Sequence, residues 1–403
     1  MFTATEGILL PTAVTGSWPR PVWFTENLSG RALSDALLDT RYRDEFTDAV
    51  ATVISDQERA GLNILTNGDY HCDADLAGLS WMLYPVERLR GIARTETLPA
   101  SDEWVYPPGS LLAEVSGAWR LPPVTGKIEP GGTLEFDKLW RIAQARTDRP
   151  VKFGTVSTQL VASMLELRTD AYAPNKRELM WDMATAMNRE LRNLADAGCR
   201  VIQIEEPLMH FVAATSTDKR YMDFLIDCFN HEISGLDDVE VWVHTCWGNA
   251  NMQRVLRNTS YAEAIEIFLD RVGGDVWTLE MKDRDFADLE LLRPYRGRMT
   301  KKIALGVVSH RSLQVETPEE VAEDIRYALK HVDADRLVLS SDCGFGRGGP
   351  NRLVAFYKAT AIAQGANIVR RELGVEQTPV RAANPEVQID LPRPRSAESF
   401  DTF

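Results

Sequence analysis

Eight short runs of apolar residues recur along the chain, and each is followed by a segment with helical periodicity. The runs are nearly continuous in valine, isoleucine and leucine, which is typical of strands that are buried on both faces of a parallel sheet. They lie at 12–16, 63–67, 151–155, 201–206, 239–245, 275–280, 302–308 and 336–341. Eight such strands alternating with helices predict an α/β fold of the (β/α)₈ TIM barrel type.

Two of the segments between the runs carry specific helix signals. Residues 175–198 have apolar residues at helical spacing and end at a glycine. Residues 317–332 begin with Thr317 and Pro318, and Glu320 stands three residues after the threonine. This arrangement is typical of a capping box, so it predicts a helix that begins at Thr317.

The alternation of runs and helices is interrupted between the second and the third run. An insertion of about 71–149 contains β-like runs separated by pairs of proline and glycine, which predicts a hairpin followed by a helix. We therefore expect one barrel domain over 1–373 that carries this insertion. Residues 374–403 are rich in proline and charge, which predicts a disordered tail or an arm on a partner subunit of a homo-oligomer.

Charge and hydropathy exclude several classes of protein. The 45 lysines and arginines are outnumbered by 59 aspartates and glutamates, so the net charge is −14 and nucleic acid is not an expected partner. No run of 18 apolar residues occurs, so no membrane span is predicted. The N-terminus shows no charged region followed by an apolar core, so we expect a cytoplasmic protein without a secretion signal.

The five cysteines are too few and too scattered to predict a disulfide framework. Cys199 and Cys228 lie in helix-like patterns and are expected to be inert core thiols. Cys72 follows His71, and we interpret this pair as loop residues near the functional site. The other two cysteines follow predicted strands.

The ends of the predicted strands carry an unusual concentration of ligand-type side chains. In a (β/α)₈ barrel the C-terminal strand ends form one face, where binding and catalysis occur. Strands five, six and eight lead to four residues with nitrogen, oxygen or sulfur ligand atoms, namely His244, Cys246, Glu280 and Cys343. Such a mixed set suits zinc better than magnesium or calcium. Because a lone histidine or cysteine at a strand end is more often a packing residue, these residue types leave both interpretations open.

At these residues the chain resembles the catalytic domain of cobalamin-independent methionine synthase and its shorter, single-domain relatives. The segment "HTC" is similar to the family's His-x-Cys zinc pair, "TLE" to the strand with its glutamate ligand, and "SDCG" to the segment with its last cysteine ligand. The resemblance extends in order from about residue 12 to residue 372. It implies a (β/α)₈ barrel with Zn²⁺ bound by His244, Cys246, Glu280 and Cys343.

Further segments resemble the family's motifs around the substrate. "GSWPRP" is similar to its Gly-Ser-aromatic-Pro motif, "NGD" to His-Gly-Glu, and "QIEEP" to Gln-Ile-Asp-Glu-Pro. The resemblance implies that Asp69 and Glu205 bind the ammonium group of homocysteine and that Ser17 binds its carboxylate. "GVVSHRSLQVE" resembles the segment whose histidine assists the reaction, which is His310 here.

The reaction implied by the resemblance is alkyl transfer to a thiol, with homocysteine as the expected acceptor and methionine as the product. A free thiol has a pKa of about 8.5, whereas a zinc-bound thiol is deprotonated. Zinc therefore supplies a nucleophilic sulfur at neutral pH. His310 would give a proton to the leaving group.

The alkyl donor is left open. Long methionine synthases carry an additional N-terminal barrel half that helps to hold polyglutamylated methyltetrahydrofolate, and a chain of 403 residues has no room for it. The segment "FGTVSTQLVASML" also lacks the tryptophan expected beneath the folate ring, so methylcobalamin or another donor is an alternative. Four aromatic residues of the insertion would either cover the donor or form the insertion's own core, namely Trp81, Tyr84, Trp104 and Tyr106.

Two other functions stay open. Relatives that open epoxides with coenzyme M activate its thiol on zinc, and the sulfonate of coenzyme M would need an arginine such as Arg20 or Arg347. The acids Asp69 and Glu205 favour an amino-acid thiol instead. A non-catalytic barrel stapled by zinc fits poorly, because structural zinc sites use closed sets of cysteine and histidine.

Overall fold

The computed structural model describes residues 1–74, 79–94, 97–99, 107–117, 120–129, 134–172, 175–256, 260–346 and 351–383. In this part of the chain the strands are β1 (Leu65–Thr66), β2 (Arg90–Ile92), β3 (Leu98–Pro99), β4 (Arg120–Leu121), β5 (Val124–Glu129), β6 (Val151–Val156), β7 (Val201–Glu205), β8 (Glu240–Thr245), β9 (Val276–Leu279), β10 (Lys302–Val308) and β11 (Leu337–Ser341). Seven of these described strands form one parallel sheet in the order β1-β6-β7-β8-β9-β10-β11. This order is the one expected of a (β/α)₈ barrel.

The segment before β1 closes this sheet into a barrel. The Leu339 N–H in β11 donates to Pro11 O at 2.8 Å, and the Ala13 N–H donates back to Leu339 O at 2.9 Å. On the other side, the Asn63 N–H donates to Thr12 O at 2.9 Å, just before β1. The predicted fold is therefore confirmed, although the predicted first strand is reduced to a bridge at Thr12.

The first strand is short because its polar residues bond to side chains instead of extending the backbone ladder. The Thr15 N–H donates to Ser341 Oγ at 2.9 Å, and Thr15 Oγ1 lies 2.7 Å from Ser340 Oγ. Gly16 then takes a positive φ of 67°, which a glycine adopts without strain. The chain thereby turns onto the face where the strands end.

Helices alternate with the barrel strands along the chain. In the described residues they are α1 (Leu33–Ala36), α2 (Thr40–Ala60), α3 (Leu79–Val86), α4 (Leu111–Gly117), α5 (Phe136–Gln144), α6 (Thr158–Met164), α7 (Arg177–Asp196), α8 (Pro207–Thr215), α9 (Lys219–Glu232), α10 (Ala262–Glu266), α11 (Pro318–Ala328) and α12 (Arg352–Glu372). Helix α7 matches the helix predicted over 175–198. Helix α11 has both bonds of the predicted capping box, and it ends at Ala328 rather than at residue 332. None of the described helices combines the length and the apolar character needed to cross a bilayer.

The insertion between β1 and β6 contains two short antiparallel ladders, one nested inside the other. Strand β2 pairs with β5, and β3 pairs with β4 between them. Tyr84 in α3 is buried, and its hydroxyl donates to Leu134 O at 2.6 Å, so Tyr84 is a core residue. Trp81 packs partly buried against the same core, whereas Trp104 and Tyr106 lie outside the described residues.

The chain after α12 returns to the barrel. The Thr378 N–H donates to Asn367 Oδ1 at 2.9 Å, and a side chain at Gly61 would collide with Val380. The first part of the predicted tail therefore packs on the barrel. Residues 384–403 lie outside the described residues, and a separate tail after residue 373 stays a prediction.

Alternate residues of the barrel strands point into the barrel. An apolar layer of the interior is formed by Ala4, Ala13, Ile64, Val201, Trp242, Val276, Ala304 and Val338. Strand β7 continues on the same face from Val201 to Gln203 and Glu205, and β8 continues from Trp242 to His244. The interior therefore changes from apolar to chemically active side chains toward the C-terminal strand ends.

Candidate active site

His244, Cys246 and Cys343 come together at the C-terminal face of the barrel. His244 is the next-to-last residue of β8, Cys246 directly follows that strand, and Cys343 follows β11. One ligand atom from each residue lies within 4.8 Å of the others, and all three residues are buried. Two strands separate β8 from β11 in the sheet, so the curvature of the barrel brings these residues together.

A hydrogen bond between the sulfurs of Cys246 and Cys343 shifts their two pKa values in opposite directions. The bond from Cys246 holds the pKa of Cys343 well below its usual range, although burial opposes this effect. The same bond and burial raise the pKa of Cys246 well above its usual range. Of the two thiols, Cys343 is therefore the one whose surroundings favour the thiolate, which is the form that binds metals.

His244 has the properties of a metal ligand. The ring is fully buried, it contacts the Cys343 thiol, and its Nε2 lies 3.5 Å from Glu205 Oε2. Burial acts to lower the pKa of His244, but Glu205 and Cys343 outweigh it, so that the pKa is raised. A buried imidazole beside two sulfurs is a donor set that fits zinc.

The carboxylate of Glu280 lies beside this group of three ligand atoms rather than within it. The Trp247 N–H donates to Glu280 Oε2 at 3.0 Å, and Arg311 donates to Glu280 Oε1 in a close ion pair. Arg254 Nη2 lies 3.6 Å from the same oxygen. Glu280, the predicted fourth ligand, is therefore fully buried, and both of its carboxylate oxygens already accept hydrogen bonds from the protein.

His310 is connected to Cys343 through Asn249. His310 Nε2 lies 3.1 Å from Asn249 Oδ1, and Asn249 Nδ2 donates to Cys343 Sγ at 3.3 Å. On the other side of the ring, Nδ1 lies 3.4 Å from Asp283 Oδ2. Burial lowers the pKa of His310, and Cys343 opposes this effect. The ring is thus held between an amide and a carboxylate, next to the three candidate ligands.

The sequence analysis did not identify three polar residues of this site, namely Asn249, Asp283 and Arg311. Asn249 stands three residues after Cys246, and Asp283 stands three residues after Glu280. The sequence signal that could have identified these two residues is their position as polar residues a few places after candidate ligands. Arg311 had a similar signal, because it directly follows His310, and it donates to both Glu280 and Asp283.

Asp342 belongs to a second cluster of ligand-type side chains, with Asp283 and His310. Its Oδ1 accepts the N–H groups of Met281 and Lys282, and its Oδ2 accepts that of Asp283, at 2.7–2.8 Å. These bonds satisfy the carboxylate within the protein. We therefore interpret Asp342 as the anchor of the loop after β9 rather than as a metal ligand.

Ser17 packs against the loop that carries Cys343. The N–H groups of Phe345 and Gly346 donate to Ser17 O at 2.8 and 3.1 Å. A Cβ atom at Gly344 would lie 2.6 Å from Ser17 N and 2.9 Å from Ser17 Oγ, so only glycine permits this approach. The Ser17 hydroxyl is buried and has no hydrogen-bond partner among the described residues.

Asp69 stands at the end of the second predicted strand, in the loop next to that of Ser17. The Trp18 N–H donates to Gly68 O at 3.1 Å, which joins the two loops. Asp69 has a positive φ of 55°, and its Oδ1 lies over Gly154, where a Cβ atom would come within 3.2 Å. The buried carboxylate therefore lies over the end of the neighbouring strand β6.

Glu205 connects the two groups of predicted residues. Gln203 Nε2 donates to Glu205 Oε1 at 2.6 Å, and Glu205 Oε2 is the atom that faces His244. A Cβ atom at Gly16, directly before Ser17, would lie 3.9 Å from Glu205 Oε1. The structure thus brings the predicted substrate residues and the predicted metal ligands to the same opening at the C-terminal face of the barrel, which we call the mouth.

Arg20, a candidate for binding a sulfonate, is engaged by its own loop. Its guanidinium donates to Tyr70 O and Cys72 O and lies 4.1 Å from the centre of the Phe24 ring. These contacts leave fewer donors for an anionic substrate. Arg347, the other candidate, lies outside the described residues.

The fold and the site together define a (β/α)₈ barrel whose C-terminal face carries a candidate metal centre beside buried carboxylates. Residues 10–364 match the model of the catalytic domain of cobalamin-independent synthase, and the chain belongs to this family.

Similar proteins align with the chain over nearly their whole length. The chain is 28% identical to a methionine synthase from Saccharolobus solfataricus over 369 residues, which cover 91% of this chain and 96% of that protein. It is 27% identical to a methionine synthase from Sulfurisphaera tokodaii over 365 residues, which cover 91% and 94%. A solved structure is also similar to this chain, namely that of a B12-independent methionine synthase from Shewanella sp. W3-18-1 in complex with selenomethionine. Its sequence is 25% identical to this chain and the TM-score is 0.72. The match covers 91% of this chain and 99% of that chain. The protein is therefore methionine synthase-like in sequence and in fold.

Proposed function

We propose that this protein transfers a methyl group to the thiol of homocysteine and so produces methionine. The observation that carries the proposal is the buried group of His244, Cys246 and Cys343, with Glu205 3.5 Å from His244. A metal centre and carboxylates for an ammonium group then share one mouth, which suits a thiol that is also an amino acid. The methionine synthases named above, and the bound selenomethionine of the Shewanella protein, support the same substrate class.

We propose Zn²⁺ as the metal, with Glu280 as the fourth ligand of the set. The buried ring of His244 and the two neighbouring sulfurs support this choice, because their ligand atoms lie within 4.8 Å of one another. Because Arg311 and Arg254 compete for the Glu280 carboxylate, Glu280 is the ligand most easily displaced by substrate. Zinc bound here lowers the pKa of the substrate thiol, so that its sulfur is nucleophilic at neutral pH.

The other side of the mouth binds the amino-acid part of the substrate in this proposal. Asp69 and Glu205 accept charge-assisted hydrogen bonds from the ammonium group. The Ser17 hydroxyl, which has no other partner among the described residues, donates to the carboxylate. These contacts orient the thiol sulfur toward Cys343, because Ser17 packs against the Cys343 loop.

His310 gives a proton to the leaving group as the methyl group departs. The Asn249 amide and the Asp283 carboxylate hold the ring from its two sides, and this arrangement restricts its rotation. The role applies to a folate nitrogen and to other leaving atoms alike. It therefore does not select the methyl donor.

An epoxyalkane:coenzyme M transferase is the alternative function, since coenzyme M is also a thiol that zinc activates. The engagement of Arg20 by backbone carbonyls disfavours it, because a sulfonate needs free cationic donors. A purely structural zinc is disfavoured by the spread of the ligands over separate strand ends.

The proposal is tested with the zinc-loaded protein, homocysteine, and either methyltetrahydrofolate or methylcobalamin, with methionine measured by mass spectrometry. We expect methionine from at least one donor and none from the Cys343→Ser variant. A parallel reaction with coenzyme M and a small epoxide tests the alternative. Product from coenzyme M without any product from homocysteine would contradict the proposal.

A further inference from the structure

Lys152 is an ionisable residue in the interior of the barrel, next to the apolar layer. Its side chain is 1% exposed, and Nζ lies 4.0 Å from the centre of the Trp242 ring, which belongs to the apolar layer. Burial lowers the pKa of Lys152 to about 7, although Glu205 and Asp69 act to raise it. A buried lysine is costly for stability, so its contacts indicate what it contributes.

Those contacts form a chain of hydrogen bonds that ends at the predicted substrate residue Glu205. Lys152 Nζ donates to Val14 O at 3.0 Å and to Gln203 Oε1. Gln203 Nε2 in turn donates to Glu205 Oε1 at 2.6 Å. In this orientation of the Gln203 amide, its oxygen accepts from Lys152 and its N–H group donates to Glu205, so one amide joins the two side chains. Lys152 thus fixes the amide, and the amide directs an N–H group at Glu205.

The same chain explains why acids can accumulate in this part of the barrel. Glu205 and Asp69 are both buried and both act electrostatically on Lys152. Like charges in a buried pocket repel each other, and a cation beneath them offsets part of that repulsion. An ammonium group arriving from the mouth then meets a Glu205 carboxylate that the Gln203 amide already orients.

We propose that Lys152 is a positioning residue, which acts through the Gln203 amide to hold the Glu205 carboxylate in the orientation that binds the ammonium group of the thiol substrate. This inference rests on the proposed function and names the device that selects an amine-bearing thiol. Lys152 itself touches no substrate, because Gln203 lies between it and Glu205.

The test compares two thiols that differ only in the amine, L-homocysteine and 4-mercaptobutanoate. Their affinities for the zinc-loaded protein are measured by calorimetry, and the ratio of the two affinities reports the contribution of the ammonium group. We expect Lys152→Met to lower this ratio about tenfold, within the range of coupling in one hydrogen-bond network, and to leave the affinity for 4-mercaptobutanoate nearly unchanged. A variant that is merely misfolded would lower both affinities together.

Lys302 provides a matched control. It is also a buried lysine at the start of a barrel strand, but its Nζ donates to Thr5 O and Thr5 Oγ1 at 2.9 Å rather than to the Gln203 amide. Lys302→Met removes a buried lysine without interrupting the bonds from Lys152 to Glu205, so the ratio should stay at the wild-type value. A second control combines Lys152→Met with Glu205→Gln, where the lysine substitution should have little additional effect on the ratio.

The outcomes separate this inference from the proposed function. If the wild-type protein binds both thiols equally, homocysteine is not the substrate, and both proposals fail. If the wild-type protein prefers homocysteine and Lys152→Met keeps that preference, or if the double variant shows additive losses, the role of Lys152 is wrong. Should Lys152→Met fail to fold by circular dichroism, Gln203→Met decides, because it interrupts the same chain and should lower the ratio in the same way.

Discussion

The mouth of the barrel has two sides that are constructed differently. On the metal side the functional groups bind one another, since Cys246 and Cys343 share a hydrogen bond and Asn249 connects Cys343 to His310. On the substrate side, Glu205 is held from below by Gln203 and Lys152 in the barrel interior.

This difference indicates how each side tolerates change. A substitution on the metal side disturbs a set of groups that act together, so it should remove the chemistry itself. A substitution on the substrate side removes one contact to one part of the substrate, so it should change selectivity and leave the reaction possible. Variants of the two sides therefore have different expected signatures.

The largest effect is expected from Cys246→Ser and Cys343→Ser. Each removes a thiolate ligand, so both the bound zinc, expected at one per chain, and methyl transfer should fall below detection while the barrel stays folded. Metal analysis and circular dichroism measure the two properties. Cys72→Ser is the matched control, because Cys72 is outside the three-ligand group, and it should keep the metal. Retention of metal in both site variants would overturn the ligand assignment.

The next effect concerns His310. Because general acid catalysis contributes about 10²–10⁴-fold, His310→Gln should lower kcat by a factor in that range and leave the zinc content unchanged. His331→Gln, in the segment after α11, serves as a control and should leave kcat unchanged. An unchanged kcat in the His310 variant would show that the proton comes from another group.

On the substrate side, Asp69→Asn and Glu205→Gln should weaken binding of homocysteine by about 1.5–3 kcal/mol each, since each loses a charge-assisted hydrogen bond in a buried pocket. Binding of the thiol without an amine should change much less. Equal losses for the two thiols, measured by calorimetry, would argue against an amino-acid substrate and for coenzyme M.

A substitution of Glu280 tests whether this residue is a metal ligand. If Glu280 is the displaceable fourth ligand, Glu280→Gln should weaken zinc affinity by roughly 10–100-fold without preventing full loading at high zinc, a range similar to that of groups next to metal ligands. Competition with a chelator measures the affinity. An unchanged affinity would mean that Glu280 serves only its ion pairs with Arg311 and Arg254.

The smallest effect is expected for the length of a folate tail. A polyglutamate tail needs cations at the mouth, but Arg20 and Arg311 already bind carbonyl or carboxylate groups of this chain. Methyltetrahydrofolate with three glutamates should therefore exceed the monoglutamate in kcat/KM by no more than about fivefold, because exposed ion pairs contribute little. A strong preference for the triglutamate in steady-state assays would show that a cationic tail site exists.

The residues that sequence reasoning found and those it missed differ in a physical way. Cys246 and Cys343 were found because cysteine is rare in this chain and both follow apolar runs. Asn249 and Lys152 were missed because asparagine in a loop and lysine at the start of a strand are ordinary in a sequence. Their proposed roles rest on contacts with residues distant in the sequence, such as Asn249 with Cys343 and Lys152 with Gln203.

The sequence by itself determined the alternation of strands and helices and the residue types at the strand ends, because apolar periodicity and helix caps are local properties. The tertiary structure decided the rest. Residues 11–13 close the barrel between β11 and the segment before β1, and in the closed barrel the ligand atoms that follow β8 and β11 lie within 4.8 Å of one another. The tertiary structure also pairs Glu280 with Arg311 and connects Lys152 to Glu205 through Gln203. Distances between residues on different strands follow from the geometry of the closed barrel, and no local pattern of amino acids encodes them.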